Sequence, residues 1–239
     1  MNTRPLIICS QWRLVGSLAI CLGTSSVVSA ACSTSGDVTE FVRQTYNDSI
    51  EFDVVRKGKV VGRHRTEFSV ADGGLLVHSS MALKVTILFV PVFDFNYESR
   101  ATWCGDRLMN LSSTVDRNGS RTHVEAIFDG RATTITGDAS KLTHPAPLMP
   151  TNHWHPAVLQ RGAVLNTITG QVNKVEIVEC TRSKMAEFAS QLPSNAACFQ
   201  YTGDLTATVW YQGKRWVGLA FKGDDGSDIV YRCRGCIAQ

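Results

Sequence analysis

Phe93-Asp94-Phe95-Asn96-Tyr97-Glu98-Ser99-Arg100-Ala101-Thr102-Trp103 is the stretch that decides the fold. Phe93, Phe95, Tyr97, Ala101 and Trp103 share one parity, and Asp94, Asn96, Glu98, Arg100 and Thr102 share the other. A side-chain period of two belongs to a β-strand with one dry face. The preceding run, Leu75–Phe89, repeats it, with Leu75, Val77, Met81, Leu83, Val85, Ile87 and Phe89 facing the core. Pro91 cannot donate to a ladder and ends or bends that strand.

Working outward, Ile50–Val54 alternates, and Val60–Val70 puts His64, Thr66, Phe68 and Val70 on one face. Arg107–Asp116 and Arg121–Phe128 flank Arg117-Asn118-Gly119, a strong hairpin signal, and Ala132–Gly137 follows. Near the C-terminus Val175–Cys180, Cys198–Thr202, Leu205–Tyr211, Arg215–Lys222 and Ile229–Cys233 read as further strands between turn residues. Val38–Tyr46 reads as a short helix and Ser183–Gln191 as a helical turn. The expected fold is all-β: an antiparallel meander curled into an open or closed barrel-like sheet. One segment, Leu142–Val172, breaks the pattern. It carries His144, His153, His155, Trp154 and four of the seven prolines, and is expected to cross the sheet or cap one end.

The first thirty residues read as a cleaved secretory signal: Arg4 and Arg13, the apolar run Leu14–Gly23, and the small-residue site Val28-Ser29-Ala30. A lipid anchor on Cys32 is the alternative, but Ser29 stands where that signal wants an aliphatic residue. The expected domains are 1–30 signal, 31–48 N-terminal segment and 49–239 a single antiparallel β domain. Losing the two leader arginines takes the net charge from +3 to +1, too little for a nucleic-acid binder. No later apolar run is long enough to be a transmembrane segment. The expected location is therefore the periplasm or cell envelope. Six cysteines remain beyond the leader, an even number suited to disulfides in an oxidising compartment. Cys180 with Cys198 is the preferred pair, while Cys233 and Cys236 would pair together or each reach another strand.

Several quoted motifs resemble those of an exported bacterial family, domain of unknown function 6134. They are Phe52-Asp53-Val54 with Gly58 and Val61-Gly62, Val85–Phe95, Asn152-His153-Trp154 through Val164-Leu165-Asn166 to Thr169-Gly170, Thr202-Gly203-Asp204-Leu205 with Val209-Trp210-Tyr211, and Asp225-Gly226-Ser227. The resemblance implies an all-β exported protein with an open barrel and carries over no catalytic residue. The cysteine load departs from the family's pattern.

Three chemistries are weighed. Met81, Phe93, Phe95, Tyr97 and Trp103 on the inner face, with Trp154 in a lid, would enclose a lipid-like ligand. His144, His153 and His155 would supply three imidazoles to a metal-dependent hydrolase. The third reading is a ligand-free structural envelope protein. No cofactor is expected: Ile237 stands where haem attachment at Cys233-x-x-Cys236 wants His, and no Gly-x-Ser-x-Gly elbow occurs. Asp224–Asp228 reads as a hairpin turn, since it lacks the calcium loop's length and terminal Glu.

Overall fold

In the computed structural model, Cys32 and residues 35–71, 74–87, 90–138, 140–181, 192–193 and 195–236 are described. The leader, Phe89 and the helical turn Ser183–Gln191 lie outside them.

The helix α1 (Ser35–Tyr46) is followed by eight strands in meander order. They are β1 (Ser49–Arg56), β2 (Lys59–Ala71), β3 (Gly74–Ile87), β4 (Val90–Cys104), β5 (Arg107–Arg117), β6 (Ser120–Phe128), β7 (Thr133–Gly137) and β8 (Lys141–His144). Then come β9 (Met149–Pro150), a 3-10 turn at Pro156–Gln160, β10 (Ala163–Leu165) and β11 (Val172–Glu179). The chain closes with β12 (Ala197–Gly203), β13 (Ala207–Gln212), β14 (Arg215–Lys222) and β15 (Asp228–Cys233). Hairpin chemistry set in the sequence thus becomes sequential antiparallel pairing.

All fifteen strands form one sheet, ordered from β8 back to β1, then from β15 back to β9. The central joint is β1 against β15, with Phe52 opposite Cys233 and Arg56 opposite Ile229. Among the described residues, only β9 with β10 pairs parallel. The two edge strands, β8 and β9, are consecutive in sequence. His144 to Met149 spans at most about 18 Å at full extension, so the sheet must roll until its edges come within that reach. No ladder joins β8 to β9 among the described residues, so the roll is not closed.

The parity of Phe93–Trp103 holds: Phe95, Tyr97, Ala101 and Trp103 are buried. In β2 it holds through His64, Thr66 and Phe68 and fails at Val70, which is 57% exposed at the strand's end. Pro91 falls inside β4 beside a register shift at Val85/Thr86, which absorbs it.

The Leu142–Val172 segment crosses the interior, and on the way it forms most of β8 and all of β9 and β10. Room for it comes from a row of small hydroxyl residues on adjacent strands, Thr66, Ser79, Ser99 and Ser113, each opposite the next. All four are buried. Larger inward side chains here would fill that layer. Ser113 Oγ donates to the Thr167 carbonyl at 2.5 Å.

A buried irregular segment must find partners for its backbone groups. Tyrosines supply them. Tyr46 Oη donates to the Trp154 carbonyl and Tyr211 Oη to the His153 carbonyl, each at 2.6 Å. Tyr97 Oη lies 2.8 Å from Thr167 Oγ1 and 3.2 Å from Asn152 Oδ1. Tyr46 also accepts the Trp216 N–H at 3.0 Å, which docks α1 on the same end of the barrel. Trp154, 1% exposed, meets Trp103 edge-on with centroids 5.0 Å apart and Phe68 at 5.3 Å. Such pairs contribute roughly 0.5–1.5 kcal/mol each beyond burial.

Three disulfides join Cys32–Cys104, Cys180–Cys198 and Cys233–Cys236. Cys104 ends β4, Cys233 ends β15 and Cys198 lies at the start of β12, so the bridges gather at the end capped by α1.

Tyr211→Phe strands the buried His153 carbonyl and is expected to cost about 1–3 kcal/mol, read as a lower urea midpoint. Tyr201→Phe, losing only a 3.4 Å contact to His153 Nδ1, is expected to cost less.

Candidate functional site

The end of the barrel opposite the disulfides is apolar and open. Long strands carry inward residues beyond the layer that the crossing segment fills. Val61 of β2, Met81, Leu83 and Val85 of β3, and Phe93 and Phe95 of β4 form one wall. Phe221 of β14 with Ile229 and Tyr231 of β15 form the other, and Ile168 enters from the segment. Together they line a cleft of about 370 Å³. Its inner end is closed where Tyr231 Oη reaches Met81 Sδ at 2.8 Å. Phe93 and Phe95 stack with centroids 6.2 Å apart.

The rim is charged. Arg117 at the end of β5 lies 5.8 Å from the Phe95 ring centroid and 3.1 Å from Asp224. Arg56 binds Asp225 and also donates to Ser227 Oγ at 2.9 Å. Ser227 Oγ donates in turn to Asp225 at 2.5 Å. Those hydrogen bonds, with Arg56 beside it, hold the Asp225 carboxyl well below the usual range. Asp224–Ser227 is thus a hairpin turn tied to both walls.

Of the expected ligand residues, Met81, Phe93 and Phe95 line this cleft. Tyr97, Trp103 and Trp154 are taken up in the filled core and do not. Leu83, Val85, Phe221, Ile229 and Arg117 were not singled out from sequence. Strand parity marked Leu83 and Val85; nothing local marked the other three.

The three histidines are not brought together as ligands. His153 sits at φ +57 with the Trp154 N–H donating to the Asn152 carbonyl at 2.7 Å, a γ-turn whose strain the tyrosines hold. Its ring lies 5.5 Å from Tyr201 and 5.6 Å from Trp216. His155 stacks on Trp103 at 5.8 Å and accepts the Ala157 N–H, capping the 3-10 turn. His144 lies on β8, beside the Ala146 carbonyl at 3.3 Å. Among the described residues no group of three His, Cys, Asp or Glu is set to hold a metal ion. The physical reason is the left-handed backbone at His153, which breaks the alternation that would put His153 and His155 on one side: His153 lies against Tyr201 and Trp216, His155 against Trp103.

Sequence reasoning also passed over His64. It is buried against Phe52, Trp216 and Tyr231 at 5.5–6.0 Å, and its Nδ1 has no partner. Burial lowers the pKa of His64 to about 4 and of His155 to about 4. His153, buried and beside His64, falls to about 3.

Comparison with known proteins follows this geometry. Residues 52–234 match the family described as domain of unknown function 6134. The chain belongs to that family. The match runs from within β1 to just past β15, over the rolled sheet. Among solved structures, the chain is similar to the beta-barrel-like protein of domain of unknown function DUF1849 from Brucella abortus, with 10% identity and a TM-score of 0.53. The alignment covers 78% of this chain and 94% of that one. At that identity the likeness speaks for the fold alone. No curated protein matches.

The motifs of the family have structural reasons here. A Cβ at Gly62 would stand 2.0 Å from the Ala82 carbonyl oxygen. Gly203, at φ +103, would place one 2.5 Å from that of Lys174. Asn166 Oδ1 accepts the Ile168 and Thr169 N–H groups at 3.0 and 3.2 Å, which turns the chain and delivers Ile168 to the cleft.

The lowered histidine pKa values set a pH dependence. In the unfolded chain these rings protonate near pH 6.5; in the fold they stay neutral to about pH 4 or below. The unfolded state therefore binds more protons in that window, and stability falls as pH drops through it. The full slope is about 1.4 kcal/mol per pH unit per histidine. His64→Leu is expected to flatten the decline in Tm between pH 6.5 and 4.5. An unchanged slope would show that His64 is not held neutral.

Proposed function

We propose that this protein binds a small apolar or amphipathic molecule in the cleft of its rolled sheet, in an exported setting. The observation that carries the reading is the 370 Å³ cleft, left apolar and open beyond a core packed with tryptophans and tyrosines. Its size falls in the range of about 300–1,000 Å³ typical of small-ligand sites. An apolar surface kept open to water has a cost that filling would remove.

Export is supported by the leader-like N-terminus and by three disulfides, which suit an oxidising compartment. Among the described residues no helix is long and apolar enough to cross a membrane.

Protein purified from its native compartment should yield a stoichiometric amphiphile on solvent extraction and mass spectrometry. After delipidation, Nile red should bind with a blue shift. Val85→Arg, a half-buried position within the cleft, should weaken Nile red roughly tenfold, about 1.4 kcal/mol, with little change in Tm. Absence of both extracted ligand and dye binding would refute the reading.

A further inference from the structure

We infer that the cleft selects an amphiphile with a single anionic head, and that Arg117 is the residue that receives it. The inference rests on the cleft being a binding site and adds the class of ligand.

The rim of the cleft holds two cations, Arg56 and Arg117, and two carboxylates, Asp224 and Asp225, and Lys57 approaches from outside it. The cations are not equivalent. Arg56 is mostly shielded and is committed twice, to Asp225 and to Ser227. Lys57 points its amine to Asp225 from 3.7 Å. Arg117 instead has its guanidinium over Phe95, a residue of the apolar wall, and pairs with Asp224 at 3.1 Å. That pair is open to water, with side-chain exposures of 49% and 89%. Exposed ion pairs are weak because both partners stay hydrated. Asp224 is therefore an exchangeable occupant of the guanidinium.

A carboxylate or phosphate on an apolar tail meets both requirements at once. Its head replaces Asp224 on the planar donor fork of Arg117, which suits either oxyanion. Its tail then runs inward past Phe95 and the facing Leu83 toward Met81, with Phe93 and Val85 on the mouth side. The side chain that binds the head is thus stacked on the first ring that the tail touches. A neutral amphiphile gains the apolar contact and nothing at Arg117. A short anion gains the head contact and nothing along the wall.

Isothermal titration at pH 7 and low salt with decanoate, decanol and acetate separates these terms. Decanoate is expected to bind roughly tenfold tighter than decanol, the size of one charge-assisted hydrogen-bonded contact, and acetate not measurably. Arg117→Gln should bring decanoate down to the decanol affinity and leave decanol unchanged. Asp224→Asn removes the competing carboxylate without entering the apolar wall. It should raise decanoate affinity roughly two- to threefold, in line with a weak exposed pair, and leave decanol alone. Equal binding of decanoate and decanol by the unaltered protein would overturn the anionic head while leaving the apolar cleft standing. Acetate binding as tightly as decanoate would replace the amphiphile with a plain anion site. Failure of both long-chain probes would overturn the cleft reading together with this one.

Discussion

The pairing of β1 with β15 is the constraint on which the remaining architecture depends. It joins the start of one meander to the end of another, across nearly the whole length of the domain. Without it the chain would be two independent sheets, each with long exposed edges that invite aggregation. With it, the two free edges become β8 and β9, which the chain itself ties together by a short proline-containing link. Rolling then follows from connectivity, and sheet twist sets its sense.

Rolling a sheet of this width leaves an interior too large for its own side chains at every level. The protein resolves the excess differently at its two ends. At one end, the row Thr66, Ser79, Ser99 and Ser113 recedes, and a segment of main chain enters, clasped by tyrosine hydroxyls and wedged by Trp154. At the other, Met81, Leu83, Val85, Phe93 and Phe95 continue the same inward parity with no chain to cover them. The cleft is thus the part of the core that the crossing segment does not reach, and Ile168 marks how far it goes.

What the sequence revealed was whatever a local rule can encode. Alternation located β2 through β6 and most of their inward residues, the Asn-Gly turn located a hairpin, and a short helix ending at Tyr46 was read at the start. The Cys180–Cys198 bridge was readable because a loop between neighbouring strands brings those residues together. The β1–β15 joint was not, since nothing in Phe52–Arg56 names its distant partner. The strands of two to four residues inside Leu142–Val172 are too short to show a period. The histidines there suggested a ligand set because spacing ignores where the chain turns, and the left-handed residue at His153 redirects the rings. The phenolic clamps and Arg117 were hidden for a related reason. A tyrosine or arginine on a strand looks the same whether it faces a loop, a ligand or water.

The placement of the disulfides has a mechanical consequence. All three cross-link the end where α1, Trp103, Trp154 and Trp216 are packed. At the far end the tie between walls is made by side-chain charges at the Asp224–Ser227 turn. The molecule is consequently graded in stiffness along its axis, with a riveted base and a lip fastened by ionic clasps. Breaking those clasps would loosen the lip while leaving the β1–β15 joint that keeps the sheet rolled intact.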